Sequence, residues 1–296
     1  LACPTTSRTK KAVDLRLALF VSGAILLSCG APPPVTARRE VTDDLGRAVS
    51  VPLRIERVVT LAPNLTELVF AAGGGEKLVG TDDFSNHPRE ARRLPKVGGM
   101  QPDIERVVSL EPDVVLASTE GNQPGIAPSL AAAGVPLFVV RTDRLAEIST
   151  ALSRIGDLLG TGNGETAAST LRDQVRRQMR RRTSSPRLLF AVWADPLFVA
   201  GTQTFTDDLF ALCGARNTVT VKGWPQFSHE ALLADPPDII LYPRASVSRQ
   251  SIEKLFAARP DVLRRLRIVG VDDDIFTRPG PRVVTAAAAL NEIIGE

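Results

Sequence analysis

The sequence predicts an α/β protein of two similar lobes joined by a long, rigid helical connector. Three observations carry this expectation. Short β-branched runs alternate with helical patterns on either side of a helical middle, which is the pattern of parallel α/β units. The two halves echo one another in residue order. The chain has 296 residues, enough for two lobes of ordinary domain size rather than one small core.

In the first half, residues 57–61 (RVVTL) read as a strand. Asn64 or Thr66 is placed to cap a helix that runs through Ala72 and stops at Gly73, Gly74 and Gly75. Residues 78–81 form a second strand, 104–110 a short helix, and 113–117 (DVVLA) a buried strand. A helix ending near Ala133 stops at Gly134, and residues 136–140 form another strand. Residues 145–159 and 165–182 are helical, separated by a turn at 160–164. The second segment alone spans about 27 Å at 1.5 Å per residue, enough to cross between lobes. After Pro186 the alternation resumes, with strands at 188–193, 197–200, 238–242 and 268–271. Helices are expected at 206–213, after Ser228 through Ala234, and at 283–294.

The echo is most specific around one element. Glu105 lies eight residues before Asp113, which follows Pro112 and opens a Val-Val-Leu-Ala run. Glu230 lies eight residues before Asp238, which follows Pro237 and opens Ile-Ile-Leu-Tyr. Each half therefore carries a helix with one glutamate, a Pro-Asp turn and a buried strand.

The N-terminus reads as an address. Arg8, Lys10, Lys11 and Arg16 precede an eleven-residue apolar stretch at 17–27. A bilayer span needs about 20 residues, so this stretch suits a signal segment and not a lasting transmembrane helix. It ends in Leu26-Leu27-Ser28-Cys29, which resembles a bacterial lipobox, with Cys29 the lipidated residue. Pro32, Pro33 and Pro34 then mark a tether. The division expected is 1–29 signal and lipobox, 30–54 tether and N-terminal segment, 55–143 first lobe, 144–185 helical connector, and 186–296 second lobe. An extracytoplasmic, membrane-anchored monomer follows.

Composition narrows the chemistry. The hydrophobic share of 44% and charged share of 23% are those of a soluble globular protein. The basic run Arg176, Arg177, Arg180, Arg181 and Arg182 lacks interleaved aromatics, so it reads as a solvated face and no nucleic-acid partner is expected. No Cys-x-x-Cys pair exists and only two histidines are present, which argues against a structural zinc or a His-rich metal cage. Cys3 and Cys29 belong to the export segment, leaving Cys213 as a lone buried thiol. No Gly-x-Ser-x-Gly elbow, P-loop lysine or His-Glu-x-x-His pair occurs, so an extracytoplasmic enzyme is the weaker alternative. Asp272, Asp273 and Asp274 read as a strand end and turn, with cation binding the other option. No enzyme activity and no resident cofactor are expected.

A resemblance sharpens this reading. The run from Arg57 to Glu67 (RVVTLAPNLTE) resembles the opening strand and first helix of the cobalamin and iron-siderophore binding proteins of ABC importers. Phe84-Ser-Asn-His-Pro88 is similar to their Tyr-Ser-x-Tyr-Pro loop, and the run from Ile104 to Leu116 to their most recognisable segment. Trp224 to Glu230 resembles a segment of the cobalamin binders, and Arg278-Pro-Gly-Pro-Arg282 also fits. Gly99 departs from the pattern, falling where a cobalamin binder carries tryptophan, and His87 stands where tyrosine is usual.

The resemblance implies two Rossmann-like lobes bridged by one long rigid helix, the class III binding-protein fold, with modest closure and the ligand in the cleft. It implies that Glu105 and Glu230, one per lobe, dock onto an ABC importer permease dimer. The cleft residues expected are Phe84, His87, Trp224, Tyr242, Asp274, Phe276 and Arg278. Aromatic rings there supply broad contact at little entropic cost, and the His87 imidazole is able to ligate cobalt or iron. The ligand expected is a corrinoid, haem or ferric siderophore, cobalamin first.

Overall fold

The computed structural model describes residues 37–119 and 125–295. The export segment, with Cys3, Cys29 and the triple proline, lies outside the described residues. In chain order the elements are β1 (Arg38–Thr42), β2 (Ala48–Pro52), β3 (Val58–Thr60), α1 (Pro63–Ala71), β4 (Leu78–Thr81), α2 (Ile104–Ser109), β5 (Val114–Ser118), α3 (Ile126–Ala132), β6 (Leu137–Val140) and the connector helices α4 (Leu145–Leu159) and α5 (Gly164–Arg177). They continue with β7 (Arg187–Ala194), β8 (Leu197–Val199), α6 (Phe205–Leu212), β9 (Arg216–Asn217), α7 (His229–Ala234), β10 (Ile239–Pro243), α8 (Arg249–Lys254), α9 (Pro260–Leu263), β11 (Arg267–Val271), α10 (Asp273–Phe276) and α11 (Val283–Gly295).

The first lobe is built on a parallel sheet in the order β4-β3-β5-β6. The second has the order β11-β10-β7-β8, with β9 pairing β7 and only β8 antiparallel. Central strands of such sheets are covered on both faces, which is why β5 and β10 are buried at every position. Side chains alternate along each strand, so each sheet feeds two cores. Val114 and Leu116 enter one core while Val115 and Ala117 enter another. Ile239 and Leu241 enter the first core, Ile240 and Tyr242 a third. That first core is shared: it joins Leu65 and Leu68 of α1, Ile148, Leu152 and Leu171 of the connector, and Phe190, Phe210 and Leu290 of the second lobe.

The echo between halves is a matter of local geometry. The Asp113 carboxylate accepts the Arg57 N–H at 2.9 Å, and the Asp113 N–H donates to the Arg57 carbonyl at 2.8 Å. Asp238 repeats this on Arg187, at 2.7 and 2.8 Å. Ahead of each turn sits a six-residue helix, α2 capped by Asp103 and α7 capped by Ser228.

Three expectations change. The connector is not one helix. Gly160 and Gly162, at φ of 65° and 69°, end α4 in the left-handed region and start α5 in a new direction. α5 stops at Arg177, about 21 Å long for its 14 residues, and packs on α4 and α11. Beyond it the basic run leaves the helix: the Arg180 N–H donates to the Leu212 carbonyl and Arg182 Nε to the Cys213 carbonyl at 3.0 Å, while the side chains of Arg176, Arg177, Arg180 and Arg181 stay exposed.

Second, the N-terminal segment expected after the tether, within 30–54, is a β1–β2 hairpin. Its turn is tied to the first lobe by Asp44, which accepts the Arg141 N–H at 2.8 Å and pairs with Arg154. Third, α1 is not capped by Asn64 or Thr66. Pro63 opens it with a pre-set φ. Asn64 donates instead to Thr142 Oγ1 at 3.0 Å, and the Thr66 hydroxyl bonds Thr60 at 2.6 Å.

The connector helices touch where both carry glycine. A Cβ on Gly156 would lie 2.3 Å from the Gly164 Cα. Gly156→Ala must therefore push backbone from backbone, and we expect a loss of about 1–3 kcal/mol in unfolding free energy, read from the urea midpoint.

Candidate functional site

The strands of the first lobe end at one pocket. Leu61 and Ala62 follow β3, Asp82 follows β4, and Ser118 closes β5; Pro63 and Asn64 begin α1 beside them. Strand C-termini are where ligands of open α/β sheets bind. The facing wall comes from the second lobe: Thr277, Arg278 and Pro279. The cavity measures about 240 Å³. Its lip carries Phe84, 56% exposed, and Met100, 64% exposed, two large apolar side chains left facing water.

Phe84 is held by its backbone. Its N–H donates to Asp82 Oδ2 at 2.9 Å, and its carbonyl accepts from Arg278 Nη2 at 3.2 Å. The ring lies beside Gly99, where a Cβ would come within 3.0 Å of Cε2. Asp82, 2% exposed, ends a chain of hydroxyls: Thr60 to Thr66 at 2.6 Å, Thr66 to Ser85 at 2.7 Å, and Ser85 to Asp82 Oδ1. Burial pushes the Asp82 carboxyl above the ordinary carboxylate value; the Ser85 hydroxyl, the Phe84 N–H and the charges of Lys96 and Arg278 offset part of this. Burial likewise lowers Lys96, whose ammonium donates to Ser85 O at 2.6 Å and Thr81 Oγ1 at 2.9 Å.

Behind the pocket a polar clasp joins the lobes. Glu67 of α1, 4% exposed, receives two hydrogen bonds from Arg282, at 2.9 and 2.6 Å. Arg278 lies 3.7 Å from the same carboxylate, pairs with Asp274 at 2.5 Å and donates to Asn86 Oδ1 at 2.8 Å. Asn86 in turn donates to Asp274 Oδ2 at 2.7 Å. Burial opposes the charge on Arg282, but Glu67, with Asp274 and Asp272 nearby, outweighs it and holds the guanidinium above its ordinary value.

Of the expected cleft residues, Phe84 and Arg278 line the pocket, and Asp274 supports Arg278. The other four do not line it. Tyr242 is buried under α8 because the parity of β10 turns it to the outer core with Ile252 and Phe256. Phe276, 2% exposed, packs on Phe190 at 6.5 Å between ring centroids. Trp224 is half-buried against Phe205 at 6.2 Å, and His87 is exposed outside the lining residues. Asn64, Glu67, Asp82 and Met100 were missed. Glu67 and Asp82 had a readable signal, since each is an acid set within an apolar or small-residue run. The three consecutive aspartates are separately engaged: Asp272 with Arg244 at 3.6 Å, Asp273 with the Ala245 N–H at 2.8 Å, and Asp274 with Arg278. Among the described residues no group of three acidic, histidine or cysteine side chains is placed to hold a metal ion. Cys213 is buried, its thiol pushed up to about 11 by burial.

Two α/β lobes that share a core and wall a pocket between them define a two-lobed solute-binding protein. The periplasmic binding protein model matches residues 58–260, and the chain belongs to that family. The vitamin B12-binding protein of Photorhabdus laumondii is 30% identical over 240 residues, covering 79% of this chain and 86% of that one. A periplasmic haem-binding protein from Roseiflexus has the same fold at a TM-score of 0.72 and 28% identity, covering 80% of this chain and 97% of that one. The periplasmic vitamin B12-binding protein of Vibrio cholerae gives 0.68 and 25%, covering 80% and 96%. The family works outside the cytoplasm and delivers small ligands to transporters.

Because Asp82 titrates above an unfolded carboxylate, the folded state holds its proton more tightly. Its contribution to stability is full below the ordinary carboxylate value and is lost as pH rises through the raised one. Asp82→Asn should flatten that part of the stability–pH profile in urea unfolding; an unchanged slope would contradict the assignment.

Proposed function

We propose that this protein captures a bulky, metal-bearing ligand, cobalamin ahead of haem or a ferric siderophore, and passes it to an ABC importer. One observation carries the reading: a pocket walled by both lobes exposes Phe84 and Met100, while its charged groups, Asp82 and Arg278, are already committed within the protein. A corrinoid is rimmed with neutral primary amides, which need no free charge in the pocket. The carboxylates of haem require free cations instead. A cavity of about 240 Å³ takes one edge of so large a ligand. The flat remainder rests on the Phe84 ring and the Met100 thioether.

Glu105 and Glu230 are the docking contacts in this reading. Both are exposed, each is the second residue of a short capped helix, and each belongs to one lobe. The Ser228 hydroxyl donates to Glu230 at 2.7 Å and holds it below the ordinary carboxylate value, so it stays charged at neutral pH. Two carboxylates on separate lobes orient the molecule on a basic partner and speed encounter. Cys29 supplies the lipid anchor.

Calorimetric titration with cyanocobalamin, haemin and ferric siderophores tests the ligand. Saturable binding of cyanocobalamin is expected, weakened about tenfold or more by Phe84→Ala, which is roughly 1.4 kcal/mol. Binding of haemin alone reassigns the pocket, and no binding by any of the three overturns the function. In cells, Glu105→Ala with Glu230→Ala should abolish uptake while ligand affinity in vitro is kept. In the same strains Cys29→Ser should move the protein from membrane to soluble fractions.

A further inference from the structure

The clasp behind the pocket sets one carboxylate against two arginines across the lobe boundary. Glu67 is the sole acid of α1, and it is buried at the lobe boundary. Its two arginines come from the other lobe, on either side of Pro279-Gly280-Pro281. That segment passes close over α1: a Cβ on Gly280 would sit 3.6 Å from both the Asn64 Cβ and the Glu67 carboxylate, and Asn64 donates to the Pro279 carbonyl at 3.3 Å.

From Arg278 the connection reaches the pocket directly. Its Nη2 holds the carbonyl of Phe84 and its Nη1 the side chain of Asn86. Asp82 fixes the N–H of the same phenylalanine. The backbone of Phe84 is thus held from one lobe at its N–H and from the other at its carbonyl.

We infer that Glu67 is the positioning residue of a cross-lobe latch: it seats Arg282 and Arg278 so that Arg278 holds the Phe84 wall at a fixed cleft width. Glu67 does not touch the pocket. It acts on ligand retention through Arg278, so release demands that Arg278 part from Asn86 and Phe84. The effect on retention rests on the proposed binding function; the effect on cleft width does not.

The test uses the chain with Cys3→Ser and Cys29→Ser and spin labels at Ser129→Cys and Gln250→Cys, two exposed positions on different lobes. Cys213, buried and with its thiol pushed up to about 11, stays unlabelled. Double electron–electron resonance should give one narrow interlobe distance, and Glu67→Gln should broaden it toward longer values. In the same variant cyanocobalamin dissociation should quicken on the order of tenfold, the loss expected of a charge-assisted contact, with association nearly unchanged. Arg278→Gln should reproduce both effects and serves in its place if Glu67→Gln does not fold. An unchanged distance distribution in a folded variant overturns the latch. If cyanocobalamin fails to bind the parent protein, the proposed ligand falls while the distance measurement still decides the latch.

Discussion

The arrangement of the two lobes depends on one buried carboxylate. Glu67 lies at the boundary between them and has little water to solvate it. A charge in that position must be paired, and the fork of Arg282 meets it with two parallel bonds. Taking away one partner of a buried pair costs about 3–5 kcal/mol, because the other charge is left stranded. The start of α11 is therefore obliged to sit over α1. Once it does, the Arg-Pro-Gly-Pro-Arg segment has little freedom, and Arg278 falls against the pocket.

Apolar packing reinforces the same arrangement. The lobes are not independent bodies joined by a strap, since one core runs from α1 through α4 and α5 to α6 and α11. The Arg144–Asp208 pair binds the start of α4 to α6 alongside that core. Interiors of this density resist gradual deformation. At the pocket itself it is polar contacts, rather than side-chain packing, that join the lobes.

Much of this was readable in the sequence, for a physical reason. The repeated Pro-Asp turn, its glutamate-bearing helix and its buried strand are local structures whose bonds lie within the motif or on one neighbouring strand. Long-range choices were less readable. Both faces of β10 are buried, so alternation alone does not say which face Tyr242 joins. Phe276 and Trp224 look like ligand contacts by composition, yet an aromatic near a strand end fills a core equally well. The β1–β2 hairpin is hard to read in the sequence because both strands are short and partly exposed and β1 is rich in charge. In the sequence Glu67 is one member of a recognisable run; in the fold it is an acid on the buried side of an apolar helix.

The matched turns also bear on the proposed docking. Asp113 and Asp238 build the same corner twice, and each corner displays an acid at an equivalent place. In the proposed docking, a partner built of two like halves would meet the same local corner from either lobe, so each of its halves would find an acid in the same setting.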